Sequence, residues 1–117
     1  MHYGPYTTTK YGMSMLTIGL AEEFKRSGVS VNSLWPQTVI STAAIEFEGG
    51  GKATMSKGRK PAIMADAAFE IITSQNQEIT GQHLIDENIL KEKGVTDFEK
   101  YRYDVTSDKP LMTDLFI

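Results

Sequence analysis

Apolar residues in the first quarter of the chain recur at steps of three and four. Met13, Leu16, Leu20 and Phe24 form one row, and Tyr11, Met15 and Ile18 mark a second on the other side. This period predicts a helix over 6–27, with Pro5 tolerated at its first turn and Ser27-Gly28 as its stop. Two apolar sides predict burial on both, one against a sheet and the other against a neighbouring helix or subunit. The pattern then changes. "VSVNSLW", 29–35, is short, β-branched and aromatic, and Pro36 ends it, so a strand is predicted there.

Residues 37–60 show no clear period and carry Gly49-Gly50-Gly51, which predicts an irregular, flexible loop. "PAIMADAAFEIITS", 61–74, returns to helical spacing through Ile63, Ala67, Phe69, Ile71 and Ile72, with Pro61 in its first turn. A short strand is predicted around His83–Ile85 within "GQHLIDENIL", and the polar tail, 91–117, offers one helical turn in "VTDFEKYRY". Helix, strand, loop, helix, strand and tail contain one strand–crossover–strand unit, which is right-handed when its strands are parallel. Parallel strands need helices on both faces. Two strands and two helices cannot cover themselves, so the chain reads as part of a larger sheet.

Composition narrows the chemistry. The 117 residues include 12 basic and 15 acidic side chains, a net charge of −3, which points away from nucleic acid as a partner. The absence of cysteine excludes disulfides, thiolate catalysis and cysteine metal sites. Only His2 and His83 are present, far apart, so neither a Ser-His-Asp triad nor a metal site is expected, and each histidine reads as a surface or hydrogen-bonded side chain. "GGGKAT" fails as a phosphate loop, because Ala53 follows Lys52 where Ser or Thr is required. The apolar run 11–21 is too short to span a bilayer and continues into the charged "EEFKRSG" rather than a cleavage site. The expectation is a cytoplasmic protein with no membrane partner.

One pair stands out. Tyr6 and Lys10 are four residues apart in "PYTTTKYG", and on a helix they share the side that carries Met13 and Leu20. An ammonium beside a phenol favours the phenolate and lowers the phenol's pKa, which would let Tyr6 exchange a proton with an alcohol or carbonyl. Spacing alone makes this a common coincidence of surface residues.

Taken together, "YTTTKYGMSMLTIGLAEEF", "VSVNSLWPQTVISTAA", "ADAAFEIITS" and "GQHLIDENILKEKGVTDFEKY" resemble the C-terminal half of a short-chain dehydrogenase/reductase. The resemblance covers nearly all 117 residues and rests on the Tyr-x-x-x-Lys pair, the "NSLWP" strand end and an "IDENIL" strand at matching intervals. It implies an α/β fold, the C-terminal part of a Rossmann-type doubly wound parallel sheet, with residues 1–117 forming a partial domain. It implies an oxidoreductase that moves hydride between NAD or NADP and a small carbonyl or alcohol substrate. Tyr6 would be the catalytic acid/base, and Lys10 its partner and a ribose ligand. Pro36, Thr38, Val39, Ile40 and Thr42 would line the nicotinamide. Gln37 stands where the family commonly has glycine, and Thr42 lies one position later than usual, which leaves open whether the Val39 or the Ile40 amide meets the carboxamide. Residues 43–60 correspond to the variable substrate loop.

The family's Gly-rich loop, its catalytic serine and its active-site asparagine all precede the tyrosine and are not among these residues. The expectation is therefore an inactive fragment that aggregates or associates on its own. In the full-length setting, helix 6–27 would pair with its symmetry mate to form a homo-oligomer. The alternative reading is a non-catalytic chain kept only as a dimerisation or interaction module.

Overall fold

The computed structural model describes residues 3–74 and 79–115; His2 lies outside them. The described chain divides into two compact units. The first comprises Met1–Trp35 and Ser74–Leu84, the second Pro36–Thr73 and Ile85–Ile117.

In the first unit, helix α1 runs Gly4–Phe24 and continues as a 3₁₀ turn, Lys25–Ser27. Pro5 sits in its first turn, as predicted. Thr8, Thr9 and Thr17 turn their hydroxyls back onto the carbonyls of Gly4, Tyr6 and Met13 at 2.6–2.9 Å, so these three hydroxyls are satisfied within the helix. Gly28, at φ 70°, closes the end, and the N–H of Val29 returns to the Phe24 carbonyl. The buried face is not the expected one. Ser14, Thr17 and Ala21 are buried, while Tyr11, Met13, Met15, Leu16 and Ile18 are exposed. Small residues win because they permit close approach: a Cβ at Gly81 would lie 3.5 Å from that of Ala21.

Strand β1 is Ser33–Trp35 and strand β2 is His83–Ile85, and the two pair in a parallel sheet. Val31 meets Gly81 and Ser33 meets Gln82, so the numbers rise together on both strands. The strand predicted over 29–35 is regular only at its end. Before Ser33, side chains replace ladder bonds: Thr80 Oγ1 accepts from the Val31 N–H, and the Asn32 amide bonds to both the Ile79 carbonyl and the Gln82 N–H.

The second unit corrects the irregular reading of 37–60. It holds two short helices, α2 (Ala43–Glu48) and α3 (Gly51–Met55). Gly50 and Gly51, at φ 109° and 71°, make the corner between them, so the glycine run is a helix–helix turn. Helices of six and five residues are too short to display a period. Helix α4 spans Ala62–Thr73, as expected. Helix α5, Asp86–Glu92, replaces the latter part of the expected "IDENIL" strand. Asp86 and Glu87 place negative charge in its first turn, where the helix dipole favours it. The turn expected in the tail is the 3₁₀ segment Glu99–Tyr101. Ile63 and Ala67 from α4 and Ile89 and Leu90 from α5 form the core of this unit, with Met55, Val39 and Tyr101 also buried. Among the described residues, no helix is long and apolar enough to cross a membrane.

Candidate active site

Tyr6 and Lys10 project from the first turns of α1, in the first unit. The i, i+4 spacing brings them together: Lys10 Nζ lies 5.3 Å from the centroid of the Tyr6 ring. Tyr6 is about half exposed, at 49%. The same unit ties down His83 as a hydrogen-bonded side chain. Its Nδ1 is 2.6 Å from Ser33 Oγ, which also accepts from Trp35 Nε1 at 3.0 Å. Trp35 stacks edge-on to His83 and packs near Tyr11.

Pro36, Thr38, Val39, Ile40 and Thr42 belong to the second unit. There the loop 37–42 is held by alternate amides. The N–H of Gln37 donates to Asp86 Oδ1 at 2.9 Å, that of Val39 to the Met112 carbonyl at 2.9 Å, and that of Ser41 to the Arg59 carbonyl at 2.9 Å. The amides of Thr38 and Ile40 fall between these and have no hydrogen-bond partner among the described residues. An extended chain points successive amides to opposite sides, so one edge of the loop is hydrogen-bonded and the other is not. Thr42 caps α2 in an extended conformation without a side-chain cap bond. Gly58 is required nearby, because a Cβ there would sit 2.8 Å from the Val39 carbonyl.

The residues that fasten this loop are not marked by any spacing along the chain. Asp86 is fully buried; its Oδ1 also accepts the Glu87 N–H at 2.6 Å, and its Oδ2 has no partner among the described residues. Burial pushes the Asp86 carboxyl up, against the opposing pull of those two N–H groups and of Arg59. Arg59, also buried, pairs with Glu87 at 2.7 Å and lies 5.4 Å from the Phe98 ring centroid. Burial alone would raise the Glu87 carboxyl, but Lys91 and Arg59 outweigh it and hold it below its ordinary value. An acid directly after a predicted strand end, as in "LIDE", was the available signal for Asp86. Nothing local marked Arg59 or the tail.

A cavity of about 440 Å³ opens beside α2 and α3, lined by Glu46, Lys52, Met55, Ser56, Tyr103 and Asp104. It mixes both signs of charge with apolar surface. No group of three or more metal-ligating side chains occurs among the described residues.

Fold and sequence are both similar to a stretch of known dehydrogenases. The chain superposes on a putative dehydrogenase from Xanthomonas campestris with TM-score 0.85 and 45% identity, covering 96% of this chain and 40% of that one. A short-chain dehydrogenase from Mycobacterium thermoresistibile gives TM-score 0.82 at 38% identity, with 97% and 40% covered. Among curated proteins, the chain is similar to hydroxysteroid dehydrogenase-like protein 2. It is 48% identical to the Rattus norvegicus protein over 112 residues, which are 96% of this chain and 20% of that protein. The Homo sapiens protein is 46% identical over the same length, 26% of its own. The chain thus spans a fifth to a quarter of the curated relatives it matches. No protein-family model matches it.

Proposed function

We propose that this chain carries the proton-transfer residues and part of the nicotinamide platform of an NAD- or NADP-dependent oxidoreductase acting on a carbonyl or alcohol. The observation that carries this reading is the Tyr6–Lys10 pair, juxtaposed at a half-exposed helix face in a chain similar to dehydrogenases along nearly its whole length. The phenol of Tyr6 gives a proton to the developing alkoxide or takes one from the alcohol. The Lys10 ammonium, over the Tyr6 ring, offers donors to ribose hydroxyls.

The loop 37–42 suits a planar amide ligand. Because the Val39 N–H is taken by Met112, the donor left for a carboxamide is the Ile40 N–H, with Thr38 beside it and the Thr42 hydroxyl one residue past Ser41. Pro36 opens that loop. A bound nicotinamide would supply or accept the hydride. Residues 43–60, with the cavity beside them, border the substrate. The exposed apolar rows of α1 support association with a second copy in the full-length protein. The 117 residues alone are inactive on this reading, since they supply only part of the platform.

The test is Tyr6→Phe in the full-length protein. Turnover falls about 10²–10⁴-fold, the usual contribution of a general acid/base, while cofactor affinity holds. Lys10→Met lowers both. Activity of Tyr6→Phe within about a factor of two of the parent removes Tyr6 from the reaction.

A further inference from the structure

We propose that Met112–Asp114 is a positioning strap that decides which amides of the loop 37–42 face a ligand. This rests on the nicotinamide reading above. The strap runs antiparallel to the loop, with Thr38 opposite Thr113. It is fastened at both ends of that bridge: the Val39 N–H donates to the Met112 carbonyl at 2.9 Å, and the Asp114 N–H donates to the Gln37 carbonyl at 3.1 Å. The strap is in turn anchored by the Met112 N–H on the Lys57 carbonyl at 2.9 Å. On the loop's next residues Arg59 continues the job, donating its N–H to Val39 and accepting from Ser41.

The consequence is a fixed register. With Gln37 and Val39 held by the strap, the amides of Thr38 and Ile40 are left toward the open edge. A slip of one residue would exchange the two sets and turn Val39 outward instead. Gln37 stands where the resemblance leads one to expect glycine, and its backbone N–H and carbonyl are both taken, by Asp86 and Asp114. The strap touches the ligand only through the loop, so Met112–Asp114 act as positioning residues.

The experiment is amide hydrogen exchange on the full-length protein, with and without NADH or NADPH, combined with equilibrium cofactor binding. Addition of cofactor slows exchange in the peptide 37–42 and also in the peptide 111–115, which holds none of the proposed cofactor contacts. Asp114→Pro removes the one N–H given to Gln37 and raises the Kd and KM for cofactor about 2–10-fold, the worth of one hydrogen bond, with kcat unchanged. Asp114→Ala keeps that N–H and behaves as the parent. Cofactor binding that protects 37–42 and leaves 111–115 unchanged overturns the strap while sparing the nicotinamide reading. Equal effects of Asp114→Ala and Asp114→Pro also overturn it. Absence of any cofactor binding by the parent overturns both readings. The wild-type exchange decides the matter even where Asp114→Pro does not fold.

Discussion

The longest helix of this protein buries only small or hydroxyl-bearing side chains, whereas the shorter α4 and α5 bury large aliphatic ones. Helix α1 has 21 residues, and its buried positions are Ser14, Thr17 and Ala21. Helices α4 and α5 have 12 and 7, yet they bury Ile63, Ala67, Ile89 and Leu90. Each buried large aliphatic side chain stabilises by about 1.5–3 kcal/mol relative to exposure. The second unit therefore builds a core from its own residues, reinforced by the Arg59–Glu87 pair and by Tyr101, whose hydroxyl donates to Asp66 at 2.5 Å. The first unit displays its apolar residues: Met15 and Leu16 are 69% and 59% exposed. Helix length reports backbone propensity and hydrogen bonding. Stability follows from which side chains lose contact with water. A long helix with bare apolar rows is a surface prepared for something else to cover, which agrees with the association proposed for it.

Native-state hydrogen exchange on the full-length protein reads the two units separately and can break this contrast. The largest effect belongs to Ile63→Ala. Ile63 is fully buried, and its truncation lowers protection in α4 and α5 by about 2–5 kcal/mol. A loss below about 1 kcal/mol would mean that the second unit does not depend on this core. Glu87→Ala comes next. It strands the buried Arg59 guanidinium and costs about 3 kcal/mol, the low end for a broken buried pair, because Asp86 still faces the arginine. Protection equal to that of the parent would show that the pair adds nothing.

The alkaline limb is subtler. Burial, and then the hydrogen bond to the Asp66 carboxylate, push the Tyr101 phenol from 10.0 up to about 12. A group that holds its proton more tightly when folded stabilises the fold below its unfolded pKa. That contribution is fully present below about pH 10 and is lost as pH rises through about 12. The urea midpoint should fall over this range in the parent, and Tyr101→Phe should flatten the fall. An identical slope in the variant would separate Tyr101 from it. Leu16→Ser gives the smallest change, below about 0.5 kcal/mol for the second unit, since it leaves that core untouched. In the full-length protein the same change lowers the assembled mass on size-exclusion chromatography if another copy covers α1. An unchanged mass would argue for a different occupant.

Periodicity located α1 and α4 because each carries enough residues for a repeat to show, and β-branched and aromatic composition ended by Pro36 located β1. Boundaries were weaker: β1 shrinks to Ser33–Trp35 because Asn32 and Thr80 bond with their side chains where a ladder was expected. The short helices α2, α3 and α5 left too few positions to reveal a period, and Gly49–Gly51 looked like flexibility although they form a corner with positive φ at Gly50 and Gly51. Helical spacing alone was enough to place Lys10 over Tyr6, because i and i+4 are neighbours on any helix.

The local code of this chain thus determined the helix that holds Tyr6 beside Lys10, the stop of β1 before Pro36 and the absence of cysteine chemistry. Those properties depend on near neighbours in sequence or on composition. Which side of α1 is buried, and which amides of the loop 37–42 stay open, were decided only in three dimensions. Gln37 is held by Asp86 and Asp114, Val39 by Met112 and Arg59, and no spacing rule relates those positions along the chain. A backbone amide has the same chemistry at every residue, and only the folded partner opposite it determines whether it is taken.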